Sequence, residues 1–392
     1  MNIAILTSGI LPVPAVQGGA VENLVDFYLK YNDRHRLHDI TVYSVWHPDV
    51  DHRPALQSQV NHYRYVKVGR LWDKLRKRLY HKTHGEEYYH YTIEYFLNEA
   101  IKDIRTRQFD VIILENRPGY ALKLKSVTDA RLVYHLHNEK LDSHVLRCQE
   151  IYDAATRIVT VSDFIKSKIL TINPHDTKTV TVHNGIDLDA FTPSHPADRQ
   201  AFGLQPRDFL LVYSGRVNRE KGIMELIRAM AMLKDQPDIK LIIIGSSFFG
   251  NVKKDDYFMT ELKKEAAPLK DRILFTGFVP YAQMPDYLSM ADAAVIPSVW
   301  NDPFPTTVLE AQAMGLPIIA TRRGGIPEEV TDANAILLNT DDHFVTNLAQ
   351  AIRHLYDHPE LRRQMRDASL QRAHQFDEQT YAANFLRAIA TP

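Results

Sequence analysis

Short apolar runs alternate with stretches of helical periodicity along the chain, and this alternation limits the folds open to it. The runs are NIAIL, DITVYSV, DVIIL, RLVYHLH, RIVTV and TVTVH in the first half, then FLLVYSG, IKLIIIG, RILFTG, AAVIP and LPIIAT in the second. Strands that are apolar on both faces are typical of parallel sheets covered by helices on both sides. The pattern predicts two doubly wound α/β domains.

A proline-rich polar segment interrupts this pattern and marks the expected domain boundary. Residues 189–208, DAFTPSHPADRQAFGLQPRD, directly precede a new strand. We therefore place an N-terminal domain over 1–190 and a C-terminal domain over 191–375. A last helical stretch, 376–392, is expected to dock back on the N-terminal domain. The chain has 392 residues, enough for two domains of ordinary size.

Charge and cysteine content exclude several classes of function. Lys and Arg total 47 against 48 Asp and Glu, so no global field attracts nucleic acid. Cys148 is the only cysteine, which excludes a disulfide framework and cysteine-rich metal sites and fits a reducing cytosol. The N-terminus has no basic region before its apolar stretch, and no apolar run is long enough to span a bilayer. We expect a cytoplasmic protein.

Loops that follow strands are where open α/β sheets bind ligands. After the first strand, Gly18 and Gly19 open an amphipathic helix, where bare backbone N–H groups can meet an anion. After FLLVYSG come Arg216 and Lys221, which can clamp the two phosphates of a nucleotide diphosphate. The plainer alternatives are a flexible turn for the glycines and solvated surface charges for the basic pair.

The segment SVWNDPFPTTVLEAQAMGLPIIAT holds two carboxylates eight positions apart, Asp302 and Glu310. A helix is predicted to begin near Thr307 and to end at Gly315, which places Glu310 in its first turn. Thr307 and Glu310 have the spacing of a capping box, so Glu310 either satisfies a backbone N–H or accepts hydrogen bonds from ribose hydroxyls. Asp302, on a proline-stiffened loop, can accept hydrogen bonds from sugar hydroxyls.

These segments, in this order, resemble the retaining glycosyltransferases of the GT4 family, which have the GT-B fold of two Rossmann-like domains facing across a deep cleft. The resemblance rests on GR-x4-KG, the acid-x7-Glu segment running into EAQAMGLPIIAT, and GGIPE, with GG-x-VE, VSDFIK and HNGIDLDAF in the first half. It covers almost the whole chain. It implies transfer of a hexosyl unit from a nucleotide diphosphate sugar, expected to be a UDP-sugar, to a hydroxyl of a lipid-linked or growing glycan in polysaccharide or cell-envelope assembly.

The resemblance also assigns roles to the residues that match its motifs. Arg216 and Lys221 match the basic pair that holds the donor pyrophosphate, and Glu310 matches the acid that binds ribose. Asp302 falls where the family has a glutamate that contacts the donor sugar, and Pro305 stands where glycine is usual. The shorter acid bears on which sugar is transferred.

Other positions are assigned to the donor with less support from their own chemistry. His137, near the carboxyl end of its strand, matches the family's histidine close to the donor sugar; His135 shares its face of the strand and is the second choice. Val279 lies in the loop that resembles the one passing the nucleotide base. Thr306 and the Gly18-Gly19 pair complete the predicted donor-binding residues.

No metal or other cofactor is expected. Asp187-Leu-Asp189 has the Asp-x-Asp form of metal-dependent glycosyltransferases, but it follows His-Asn-Gly at the domain boundary and is interpreted as capping within the linker. If Arg216, Lys221 and helix termini neutralise the leaving diphosphate, that part of catalysis requires no cation.

Residues 64–82, RYVKVGRLWDKLRKRLYHK, carry eight Lys or Arg side chains and one Asp. A basic amphipathic helix with a tryptophan is typical of a membrane-surface contact, which would place the acceptor on a lipid or at an anionic leaflet. The alternative is a solvated helix packed on its own domain. Two other functions stay open: a related enzyme with a small soluble acceptor, and a non-catalytic nucleotide-sugar-binding protein.

Overall fold

The computed structural model describes residues 1–68, 90–195, 198–246 and 257–391. They form two compact α/β units. Unit 1 comprises Met1–His183 and Gln379–Pro392, and unit 2 comprises Asn184–Glu378. The boundary placed after residue 190 from the sequence therefore lies inside unit 2.

Unit 1 contains seven strands, which form one parallel sheet. They are β1 (Asn2–Leu6), β2 (Asp39–Val45), β3 (Asn61–Val66), β4 (Val111–Glu115), β5 (Arg131–Leu136), β6 (Arg157–Thr160) and β7 (Thr179–Thr181). Their order across the sheet is β3-β2-β1-β4-β5-β6-β7. The connecting helices are α1 (Ala20–His35), α2 (Tyr91–Ile104), α3 (Ala121–Leu124), α4 (Cys148–Ala154) and α5 (Asp163–Leu170).

Unit 2 repeats this architecture with six parallel strands. They are β8 (Phe209–Ser214), β9 (Ile239–Ile244), β10 (Ile273–Gly277), β11 (Ala293–Ile296), β12 (Ile318–Thr321) and β13 (Ala335–Leu338), in the order β10-β9-β8-β11-β12-β13. Its helices are α6 (Ile223–Met232), α7 (Tyr257–Ala266), α8 (Met284–Leu288), α9 (Thr306–Ala313), α10 (Ile326–Glu329), α11 (Phe344–Asp357) and α12 (Pro359–Ala373). The expected pair of doubly wound α/β domains is confirmed.

The central strands carry the cores because helices cover both of their faces. In unit 1, Ile5 of β1 lies level with Val42 on one side and Ile113 on the other, and all three are fully buried. Full burial of such a side chain contributes roughly 1.5–3 kcal/mol.

The last helix, α13 (Glu378–Ala390), packs on the core of unit 1. Tyr381, Phe385 and Ile389 recur every four residues and are all buried, since that spacing puts them on one helix face. The Phe385 ring stacks on Tyr28 of α1 with 4.5 Å between the ring centroids. This helix thus contributes to the core of unit 1, although every strand of the unit 1 sheet precedes unit 2 in the sequence.

In both units the direction in which successive strands are added to the sheet reverses beside the first strand. In unit 1 the chain builds outward from β1 to β3 and then places β4 on the other side of β1; in unit 2 the same step occurs between β8 and β11. At such a switch point the loops after the two neighbouring strands diverge and leave a crevice, the usual ligand position in this class of sheet. The loops after β1, β4, β8 and β11 are therefore the places to find a site.

Candidate functional site

Lys221 and Asp302 meet at the switch point of unit 2. Lys221 ends a short 3-10 turn after β8, and Asp302 lies in the loop after β11. The Lys221 ammonium forms a salt bridge with Oδ2 of Asp302, and the Ser298 hydroxyl donates to the same oxygen at 3.1 Å. Asp302 is only 4% exposed. Two loops therefore hold a cation and an anion together in a largely dry position, which strengthens their interaction.

Two glycines bring these loops into backbone contact. Gly222 has φ +68°, and a Cβ there would lie 1.8 Å from the carbonyl oxygen of Pro297. Gly324 has φ +57°, and a Cβ there would lie 2.0 Å from the carbonyl oxygen of Asp302, which also accepts a hydrogen bond from the Gly325 N–H at 2.8 Å. No other residue fits at either position, because both the space and the left-handed backbone require glycine.

Glu310 is buried inside α9 and does not form a capping box. The helix begins at Thr306, close to the predicted start near Thr307, with the extended Pro305 as N-cap and no side-chain cap, so Glu310 lies in its second turn and the predicted placement in the first turn is wrong. Proline fixes φ and the chain turns helical directly after it, one residue early. Glu310 is 4% exposed; burial raises its pKa to about 7, and a hydrogen bond with Thr306 partly opposes this shift.

Glu329, at the end of α10, is a second buried acid that sequence reasoning did not single out. It is fully buried, and neither carboxyl oxygen has a hydrogen-bond partner within the described part of the chain. Burial, together with the charges of Asp302 and Glu328, raises the pKa of Glu329 well above its usual value. The surroundings of Glu329, which include the nearby Lys221–Asp302 pair, therefore favour the neutral form of its carboxyl. Only its position beside the GGIPE segment could have suggested it.

The remaining predicted residues of unit 2 lie on other parts of the same sheet edge. Arg216 is exposed in the loop after β8, and its carbonyl oxygen accepts a hydrogen bond from the Tyr213 hydroxyl at 2.5 Å. Val279 is half-buried in the loop after β10, which is the outermost strand. Arg216 and Lys221 thus belong to one loop, whereas Val279 follows a strand two places away from β8.

A buried carboxylate stands at the switch point of unit 1. Glu115 ends β4, and its Oε2 contacts Nδ1 of His135 at 3.0 Å and Nε2 of His137 at 2.9 Å. His135 lies in β5 and His137 one residue beyond it, and their rings are 4.0 Å apart on the shared face that their spacing predicts. Burial alone would raise the pKa of Glu115, but the two histidines outweigh burial and hold it well below its usual value.

Gly18 and Gly19 precede α1, as the sequence predicts, and the first turn of this helix holds an acid. Glu22 is 5% exposed, and the Ser8 hydroxyl lies 3.4 Å from its Oε1. Burial raises the pKa of Glu22 to about 7, although its own backbone N–H and Ser8 partly oppose the shift. An anion at the glycine pair would therefore meet a carboxyl whose charge changes near neutral pH.

The described residues contain one group with donor atoms close enough for a metal ion, namely Glu115, His135 and His137, whose candidate ligand atoms all lie within 4.8 Å of one another. No metal ion is expected from the sequence. The contact distances of about 3 Å equal those of hydrogen bonds.

Asp187 accepts hydrogen bonds from the backbone N–H groups of Asp189 and Ala190, so its expected capping role is confirmed.

The basic segment 64–82 is described only at its beginning. Arg64, Tyr65 and Val66 form the end of β3, and residues 69–82 lie outside the described residues. Of the helices that are described, none combines the length and the apolar character needed to cross a bilayer.

Comparison with known proteins places this arrangement in context. Residues 194–372 match the family model described as "Glycosyl transferases group 1". A D-inositol 3-phosphate glycosyltransferase of Pseudarthrobacter chlorophenolicus is 30% identical over 298 residues, which cover 70% of each chain. The crystal structure of HepE from Anabaena in complex with UDP-glucose aligns over 100% of this chain and 99% of HepE, at 20% identity and a TM-score of 0.75.

A second solved structure has the same fold. WaaG, a glycosyltransferase involved in lipopolysaccharide biosynthesis, aligns over 100% of both chains with 15% identity and a TM-score of 0.71. At these identities the solved structures establish the fold, which is GT-B, and leave the chemistry of the site to the residues of this chain.

Proposed function

Because this chain belongs to the group 1 glycosyltransferases, we propose that it transfers a hexosyl unit from a UDP-sugar to a hydroxyl of a lipid-linked or growing glycan, with retention of configuration and without a metal ion. The observation that carries the proposal is the Lys221–Asp302 pair at the switch point of unit 2. HepE, whose fold is shared, was crystallised with UDP-glucose, and WaaG is involved in lipopolysaccharide biosynthesis.

The leaving group of such a transfer is a nucleoside diphosphate, whose charge rises as the glycosidic bond breaks. Lys221 and Arg216 lie on the loop after β8 and would neutralise that charge as it develops, which is the most effective use of fixed cations in catalysis. In this structure the Lys221 ammonium is paired with Asp302. Donor binding would thus exchange part of this ion pair for contacts to phosphate.

Asp302 and Glu310, the two acids of the segment from β11 to α9, would bind the sugar and the ribose of the donor. Asp302, held by Ser298 and the glycine loop, offers its second oxygen to sugar hydroxyls. Glu310 would accept hydrogen bonds from the vicinal ribose hydroxyls in its ionised form. Since its pKa is raised to about 7 in the free protein, donor binding should favour proton release from Glu310.

A calorimetric panel of UDP, GDP, dTDP and ADP, with their common sugars, tests the donor assignment. We expect UDP and one UDP-sugar to bind, with Glu310→Ala and Arg216→Ala each weakening binding by about 10-fold or more, the range for a lost charge-assisted hydrogen bond. Arg219→Ala is the matched control, because Arg219 is exposed on the same turn and pairs with Glu261. If no nucleotide binds, or all variants bind alike, the assignment is wrong.

The acceptor class needs its own experiment. Replacing Lys74, Arg76, Lys77 and Arg78 by Ser should abolish binding to vesicles containing anionic lipid while leaving UDP affinity unchanged, if the basic segment meets a membrane. Vesicle binding that persists in this variant contradicts the peripheral-membrane proposal.

A small soluble acceptor is the second candidate function. It is favoured by the 30% identity to a D-inositol 3-phosphate glycosyltransferase. Transfer from the UDP-sugar to inositol phosphate, unchanged by removal of vesicles, would support it over the glycan acceptor. Slow release of UDP from the donor without any acceptor would argue against a non-catalytic binding protein.

A further inference from the structure

Three side chains donate hydrogen bonds to the Glu115 carboxylate in unit 1. It is fully buried and accepts a hydrogen bond from the Tyr28 hydroxyl at 2.8 Å on Oε1. His135 Nδ1 lies 3.2 Å from Oε1 and 3.0 Å from Oε2, and His137 Nε2 lies 2.9 Å from Oε2. An ionised carboxylate can only accept hydrogen bonds, so each histidine nitrogen in contact must carry a proton.

This contact determines which nitrogen of His137 is protonated. Burial, with the neighbouring His135, lowers the pKa of His137 to about 4 although Glu115 acts in the opposite direction. The ring is therefore neutral at pH 7 and carries one N–H, which lies at Nε2 toward Glu115. Its Nδ1 keeps a lone pair, and no residue in the described ranges hydrogen-bonds that atom.

His135 differs from His137 in a way that assigns them separate tasks. Its side chain is fully buried, its Nε2 has no partner among the described residues, and its ring lies 4.5 Å from Phe385 of α13. The side chain of His137 keeps 6% of its surface exposed and lies beyond the end of β5, at the edge where ligands bind. His135 therefore supports the carboxylate, and His137 alone can reach a ligand.

We propose that Glu115 is a positioning residue that fixes the Nε2–H tautomer of His137, so that Nδ1 faces the substrate as a hydrogen-bond acceptor for a sugar hydroxyl. The assignment of a sugar hydroxyl rests on the proposed function; the tautomer rests on the contact between Nε2 and Glu115 and on the neutral state of the buried ring. A donor group of the substrate, and not an oxygen without a proton, is what this histidine recognises.

Glutamine in place of Glu115 would no longer determine which nitrogen of His137 carries the proton. Its amide can turn either its oxygen or its NH2 group toward His137, and the NH2 group would favour the opposite tautomer. Tyr28 contacts only the other carboxylate oxygen, so removing its hydroxyl should leave the tautomer unchanged. Glu115→Gln and Tyr28→Phe thus form a matched pair in which one hydrogen bond to Glu115 matters to His137 and the other does not.

The test is a long-range ¹H–¹⁵N correlation spectrum of the full chain labelled with ¹⁵N-histidine, at pH 7 without ligand. The His137 signals are those lost in His137→Phe. We expect a protonated Nε2 and an unprotonated Nδ1 in the wild type and in Tyr28→Phe, and a mixture or the reverse in Glu115→Gln. With the UDP-sugar that binds, Glu115→Gln should lower kcat about 10- to 100-fold, the usual cost of losing a partner that orients a functional histidine, while the donor KM changes less than about 3-fold.

Three results would overturn the proposal. They are a wild-type His137 protonated at Nδ1, a wild-type-like tautomer in Glu115→Gln, and one equivalent of a divalent metal in the purified protein that Glu115→Gln no longer holds. The spectrum needs no substrate, so it judges the tautomer even if Glu115→Gln fails to fold. UDP binding, measured separately, judges the proposed function.

Discussion

Buried carboxylates occur at both switch points, yet the pKa of Glu115 in unit 1 and those of Glu310 and Glu329 in unit 2 are shifted in opposite directions. Glu115 is fully buried and receives hydrogen bonds from three side chains, of which the two histidines keep its pKa low. Glu310 and Glu329 are buried to a similar degree with few or no donors, and burial raises their pKa values. Hydrogen-bond donors therefore decide whether a buried acid is ionised, whereas burial alone sets the free-energy cost of the charge.

The largest effect should come from removing the Glu115 carboxylate. Glu115→Ala strands the hydroxyl of Tyr28 and the two ring N–H groups in a dry interior, and we expect the free energy of unfolding to fall by about 3–5 kcal/mol. Urea unfolding measures it. Glu99→Ala, which breaks an exposed ion pair with Lys102, should cost less than about 1 kcal/mol. Equal losses in both variants would mean that the donors around Glu115 contribute nothing special.

Measuring stability over a range of pH tests the raised pKa of Glu310. Its pKa rises from 4.5 to about 7 on folding, so its contribution to stability is fully present below about pH 4.5 and is lost as the pH rises through 7. Over that shift the loss is about 3 kcal/mol. Glu310→Gln should remove this part of the decline when urea unfolding is repeated from pH 5 to pH 8. A decline of the same size in both proteins would contradict the raised pKa.

The smallest effect should follow from Glu329→Gln. Because burial favours the neutral form of the Glu329 carboxyl, exchanging it for an amide of the same shape should change the free energy of unfolding by less than about 1 kcal/mol. A loss as large as that of Glu115→Ala would show that Glu329 is ionised and paired, and the contrast between the two switch points would disappear.

The central strands could be read from the sequence, whereas two outer ones could not. NIAIL and DITVYSV coincide with β1 and β2, since strands covered on both faces are apolar throughout. β3 and β13 went unnoticed. Both are edge strands, covered less completely, and their sequences NHYRYV and AILL have mostly half-exposed side chains. NHYRYV has no continuous apolar run, and AILL is apolar but only four residues long, too short to be told from a helical segment.

At the site, sequence order predicted which loops matter but not which atoms meet. The Lys221–Asp302 pair joins residues 81 positions apart, a distance that no local pattern reports. Glu115 was missed although it ends a predicted strand, because a single acid after a strand is common. Only the pairing of β4 with β5, which sets Glu115 beside His135, gives it a role.

The contribution of α13 to unit 1 has a consequence for how the protein is made on the ribosome. Every strand of unit 1 leaves the exit tunnel before unit 2, but Tyr381, Phe385 and Ile389, which fill its core, emerge after unit 2. Unit 2 can therefore fold while synthesis continues, whereas the older half of the nascent chain must wait with an uncovered apolar face. The earliest part of the polypeptide is the last to reach its native state, and chaperones would be needed there most.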